Sequence, residues 1–130
     1  MAFFQWDDKY SVGVARFDQE HKKLIDLTNR FYDAMKEGKG RDVIGPTCRE
    51  LVNYTKTHFA NEELALAKTS YPNLAEHKRE HNLFTNQALD LQKKVESGEP
   101  VVISSIGNFL KNWLINHIQG TDKTYSKYFS

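Results

Sequence analysis

All five histidines of the chain, together with two carboxylates, fall where helical periodicity expects apolar residues. His58 and Glu62 are four residues apart, as are His77 and His81. At about 3.6 residues per turn, each pair lies on one helix face, about one turn apart. His21 and His117 come from two further segments, and Asp122 follows His117 by five residues. An unpaired imidazole or carboxylate in an apolar core is costly, and a metal ion satisfies several at once. Imidazole and carboxylate suit iron, zinc or copper, and seven side chains exceed what one such ion can take, so two ions are implied. A lone inward histidine is ordinarily a hydrogen-bonded core residue, and an isolated H-x-x-x-H or H-x-x-x-E pair is ordinarily solvated. Neither reading explains why every histidine sits at a consistent depth in four segments.

Four amphipathic patterns position these residues. Helix A is expected over about 19–37, with Asp18 as N-cap and His21, Leu24, Ile25, Thr28, Phe31, Tyr32 and Met35 on one stripe. Gly38-Lys39-Gly40 ends it. Helix B, about 42–67, has Pro46 near its start and turns Leu51, Tyr54, Thr55, His58, Glu62 and Leu66 inward. Helix C, about 73–96, follows the turn Ser70-Tyr71-Pro72-Asn73 and carries Leu74, His77, His81, Phe84, Ala88, Leu91 and Val95 at alternating gaps of three and four. After Ser97-Gly98-Glu99-Pro100, helix D, about 102–119, presents Ile103, Ile106, Leu110, Trp113 and His117. No alternating run with hairpin chemistry intervenes. The expected class is all-α: an antiparallel up-down-up-down four-helix bundle, because short connections favour antiparallel neighbours. Residues 1–17, with Phe3, Phe4, Trp6 and Tyr10, are expected to form an arm packed on the bundle, and 18–130 the bundle and its tail.

Composition narrows the function. At 130 residues the chain has the size of one domain. Its 18 Lys and Arg nearly cancel 17 Asp and Glu without basic clustering, so no nucleic-acid partner is expected. No stretch of eighteen apolar residues runs unbroken, which argues against membrane insertion. Cys48 is the only cysteine, which precludes an intramolecular disulfide and a thiolate metal cluster; a small core or partly exposed position with no redox role is expected. With no export signal evident after Met1-Ala2-Phe3-Phe4, a cytoplasmic protein is expected.

The motifs resemble those of the hemerythrins, in the single-domain form found in bacteria. The resemblance is carried by Trp6 in the arm, Phe17-Asp18-x-x-His21, His58-Phe59-x-x-Glu62-Glu63, Tyr71-Pro72 leading to His77-x-x-x-His81, and Trp113-Leu114-x-x-His117-Ile118-x-x-x-Asp122. It implies two non-haem iron ions (Fe2+/Fe3+) with an oxo or hydroxo bridge, binding O2 reversibly. It further implies that His77, His81 and His117 hold one iron, His21 and His58 the other, and that Glu62 and Asp122 bridge both. The open position then falls on the iron with two histidines, the expected O2 site.

A carrier, store or supplier of O2 to an oxygen-consuming enzyme is the leading expectation, as a monomer and not an enzyme. A di-iron enzyme acting on nitric oxide or peroxide is the alternative, and an iron or oxygen sensor ranks lower because no signalling domain accompanies the site. Leu114, Ile118 and Trp113 are placed to give an apolar lining or plain core packing. Leu66 and Ala65 stand where many bacterial relatives have Met and Leu. The spacing from His117 to Asp122 is about 140° on an ideal helix, which predicts a π-type bulge or an early helix end near Gly120. Glu63 is read as a solvated neighbour of Glu62 before a hydrogen-bond partner of a histidine. Tyr125, Tyr128 and Phe129 are expected to pack the tail or offer an aromatic docking patch.

Overall fold

The structure, a computed structural model, describes residues 5–38, 41–99 and 103–118, with only the backbone described at 41, 42 and 103. A short 3-10 turn, Asp8–Tyr10, precedes four helices: α1 Ala15–Lys36, α2 Arg41–Ala67, α3 Leu74–Ser97 and α4 Ile103–Asn116. There is no strand among the described residues. Helix α1 packs against α2 and α4, and α2 against α3, giving the expected all-α up-down-up-down bundle. The amphipathic stripes explain the packing. Leu24, Ile25, Phe31 and Met35 of α1, Leu51 and Leu66 of α2, Phe84, Ala88 and Val95 of α3, and Leu110 of α4 are all buried together. Burying each large apolar side chain stabilises the fold by about 1.5–3 kcal/mol. The two inward threonines bond within their own helix: Thr28 Oγ1 donates to the Leu24 carbonyl at 2.8 Å and Thr55 Oγ1 to the Leu51 carbonyl at 2.7 Å.

The start of α1 corrects an expectation. The helix begins at Ala15 behind Val14, and Asp18 lies inside its first turns instead of capping them. The Asp18 carboxylate serves the arm: Oδ1 accepts the Val12 backbone N–H at 2.8 Å and Oδ2 the Ser11 hydroxyl at 2.6 Å. A short acidic side chain near a helix start satisfies whichever N–H groups the preceding chain folds back upon it, and here they lie in the arm. The arm therefore gives way to helix at residue 15. Its Tyr10 and Val12 are buried in the core, and Trp6 meets the Tyr10 ring edge-on at 5.9 Å. Phe3, Phe4, Tyr125, Tyr128 and Phe129 lie outside the described residues.

Helix α3 ends at Gly98, whose φ of 80° is the left-handed cap conformation that favours glycine. At the end of α4 the chain passes into π-helical geometry over 117–118. This is the local widening that the His117 to Asp122 spacing predicts, although Asp122 itself lies outside the described residues. Cys48 is fully buried, and burial, with Glu96 nearby, pushes its thiol up to about 12. It is a core residue.

Candidate metal centre

Each helix delivers its polar residues to one level of the core. Helix α1 contributes His21, α2 His58 and Glu62, α3 His77 and His81, and the π turn that follows α4 brings His117, and none of the six is more than 3% exposed. Glu62 stands in the middle. Its Oε2 lies 3.2 Å from His21 Nε2 and 3.3 Å from His58 Nε2, while Oε1 lies 3.4 Å from His77 Nε2 and 3.3 Å from His81 Nε2. His81 Nε2 is in turn 3.0 Å from His117 Nε2. The six side chains thus form two groups of candidate metal ligands, Glu62 with His77, His81 and His117, and Glu62 with His21 and His58. The donor atoms of each group lie within 4.8 Å of one another. Of the seven residues expected at the site, the structure brings six together, and Asp122 is the one outside the described residues.

One carboxylate among five imidazoles sets the electrostatics. Burial would raise the Glu62 carboxyl, but His58, His21 and His77 around it hold it well below the usual carboxylate range. Burial alone would lower His58, yet Glu62 and Glu20 outweigh it and raise that imidazole above its ordinary value. His81, crowded by burial and by His117 and His77, is lowered.

Three carboxylates that the sequence reading passed over or undervalued back the histidines from outside. His58 Nδ1–H donates to Glu20 Oε1 at 2.6 Å, and His81 Nδ1–H to Glu63 Oε2 at 2.9 Å. Glu80 Oε1 lies 3.7 Å from His117 Nδ1. Glu63 is therefore a partner of His81 and not merely a solvated neighbour of Glu62. Each of the three adjoins a site residue in sequence, as Glu20-His21, Glu62-Glu63 and Glu80-His81. A step of one residue turns about 100° around a helix, from the core to the seam with the next helix. That adjacency was the signal available.

Aromatic rings wall one side. Phe59 stacks on His81 at 3.7 Å with planes 2° apart, Trp113 on His117 at 4.4 Å and 14°, and Phe84 on Trp113 at 3.8 Å and 23°. Leu114 of α4, three residues before His117, and Ile118, which follows it in the π turn, are buried.

The donor set fits metal ions. Among the described residues, the buried His58 Nε2 makes no hydrogen bond although Glu62 Oε2 is near, and imidazole nitrogens facing one another at 3.0 Å invite a cation. The Hemerythrin HHE cation binding domain family matches residues 12–129 of the chain. The chain belongs to the hemerythrin family. Among hemerythrin relatives, the Bacteriohemerythrin of Methylococcus capsulatus is 35% identical over 126 residues, covering 96% of this chain and 95% of its own. That of Stenotrophomonas maltophilia is 32% identical over 126 residues, covering 97% and 81%. The crystal structure of a wild-type hemerythrin superposes with a TM-score of 0.92 at 34% identity, covering 99% of each chain. Among the described residues of this hemerythrin, no helix is long and apolar enough to cross a membrane.

Proposed function

We propose that this hemerythrin binds O2 reversibly at a pair of non-haem iron ions, serving as a carrier, store or supplier of O2. The observation that carries this reading is the split of Glu62 between two groups of buried histidines in a chain whose relatives are bacteriohemerythrins. In it, His77, His81 and His117 would hold one ion and His21 and His58 the other, with Glu62 and Asp122 supplying the carboxylates shared between them. Bound iron supplies the reversible electron exchange by which O2 is taken up and released. The chain's own residues supply the rest. Glu20 and Glu63 orient the imidazoles of His58 and His81 so that Nε2 faces inward. Phe59 and Trp113 lie flat on His81 and His117, and Leu114 and Ile118 belong to the same buried apolar cluster, a lining that would keep water from the three-histidine group. Neutral imidazoles outnumber carboxylates at the centre, which favours binding over oxidation of a substrate. The chain works as one domain, monomeric and cytoplasmic, handing O2 to an oxygen-consuming enzyme.

The test is an anaerobic optical titration of the reduced, iron-loaded protein with O2, then removal of the gas under argon, with iron assayed on the same sample. Two irons per chain and a charge-transfer band that appears with O2 and vanishes under argon are expected. Irreversible oxidation at the first exposure would overturn the carrier reading in favour of a di-iron enzyme acting on nitric oxide or peroxide.

A further inference from the structure

The two histidine groups keep their rings in place by different means. In the three-histidine group, His81 and His117 each lie flat against an aromatic ring. Among the described residues, the ring contacts of His58 are all inclined: Phe17 at 79°, His21 at 75° and Phe59 at 48°. No parallel face among these contacts fixes the rotation of the His58 imidazole. A hydrogen bond does so instead. Glu20 Oε1 accepts from His58 Nδ1–H at 2.6 Å, and Oε2 is itself held by the Asn61 amide at 3.2 Å and the Arg16 guanidinium at 3.3 Å. The Glu20 side chain is 13% exposed, against 26% for Glu63 and 34% for Glu80. Two carboxylates flank the ring, but among the described residues only Glu20 hydrogen-bonds to it, while Nε2 lies 3.3 Å from Glu62 Oε2 without a hydrogen bond; the proton of neutral His58 therefore sits on Nδ1 and Nε2 is left as the ligating nitrogen.

We propose that Glu20 is a positioning residue that decides whether the His21–His58 half of the centre retains its ion. The proposal rests on the two-metal reading above. Helix α1 thereby organises that half twice over, through His21 directly and through Glu20 gripping His58 of α2. With only two imidazoles to bind an ion there, losing the orientation of one removes half of its nitrogen ligation, whereas the other half has three imidazoles, two of them stacked.

The experiment compares the full chain with Glu20→Ala and Glu20→Gln. The tautomer of His58 is read by 15N NMR on the metal-free protein, with the pH raised until the ring is neutral, and metal binding by cobalt(II) titration of ligand-field absorption. The wild type is expected to show the Nδ1–H tautomer and to take up two cobalt ions. Glu20→Ala should scramble that tautomer and weaken one of the two ions by about 10- to 100-fold while leaving the other unchanged. Glu20→Gln, whose amide oxygen still accepts from Nδ1–H, should recover most of the loss. Unchanged binding of both ions in Glu20→Ala, or equal weakening of both, would overturn the proposal. If Glu20→Ala does not fold, the wild-type tautomer and Glu20→Gln decide: an Nε2–H tautomer of the neutral ring in the metal-free wild type, or Gln binding that weakens both ions alike, overturns it too. A wild type that takes up no second metal would instead sink the two-metal reading itself.

Discussion

The His21–His58 half and the His77–His81–His117 half share Glu62 but are built from different materials. The second is backed by stacked rings, with Phe59 on His81 and the pile of Phe84, Trp113 and His117 beside it. The first is backed by a polar clamp of Glu20, Asn61 and Arg16, with Phe17 touching His58 only edge-on. Stacking holds a ring through many weak contacts that tolerate small shifts; a charged hydrogen bond holds it through one strong, directional contact. The aromatic half is therefore expected to be the robust half, and the polar half the one that responds to change.

Metal removal should give the largest effect. Each ion is worth roughly 4 kcal/mol when free metal exceeds its Kd a thousandfold, so melting followed by circular dichroism should show a much lower Tm in the metal-free protein. Graded chelation should pass through a one-metal form that has lost the ion of the His21–His58 half. Identical melting curves would count against an internal metal pair, and simultaneous loss of both ions would erase the contrast between the halves. Next comes Phe59→Ala, which removes the ring shared by His81, Phe84 and Trp113; a loss of about 3–5 kcal/mol is expected in denaturant unfolding of the metal-free chain. A loss below that range would mean the stack contributes little beyond occupying space.

Asp18→Ala strips the acceptor from the buried Val12 N–H and frees the arm, for a cost of about 1–3 kcal/mol. It should leave metal stoichiometry unchanged, which separates the folding of α1 from the ligation it supports. The smallest effect is expected from Glu63→Ala. His81 keeps its Phe59 stack, so cobalt affinity in the three-histidine half should fall by no more than about tenfold, the lower edge of the range for such outer carboxylates. A larger fall than in Glu20→Ala would reverse the ranking of clamp and stack.

Much of this was legible in the residues. The four helices and the inward placing of His21, His58, Glu62, His77, His81 and His117 follow from local periodicity, because spacings of three and four residues select one face of a helix whatever it packs against. Even the π turn at 117–118 could be anticipated from the count between His117 and Asp122. Asp18 misled because its preference for helix starts is also satisfied by N–H groups of a chain folded back upon it, and only the path of the arm chooses between them.

The partition of Glu62, with one oxygen toward His21 and His58 and the other toward His77 and His81, was decided by tertiary structure, as were the grips of Glu20 on His58 and Glu63 on His81. Those contacts join different helices across 38 and 18 residues of chain in the two grips. Periodicity states which way a side chain leaves its own helix. It carries no record of the height and rotation of the neighbouring helix, and these, set by how the apolar stripes interlock, determine which nitrogen meets which oxygen.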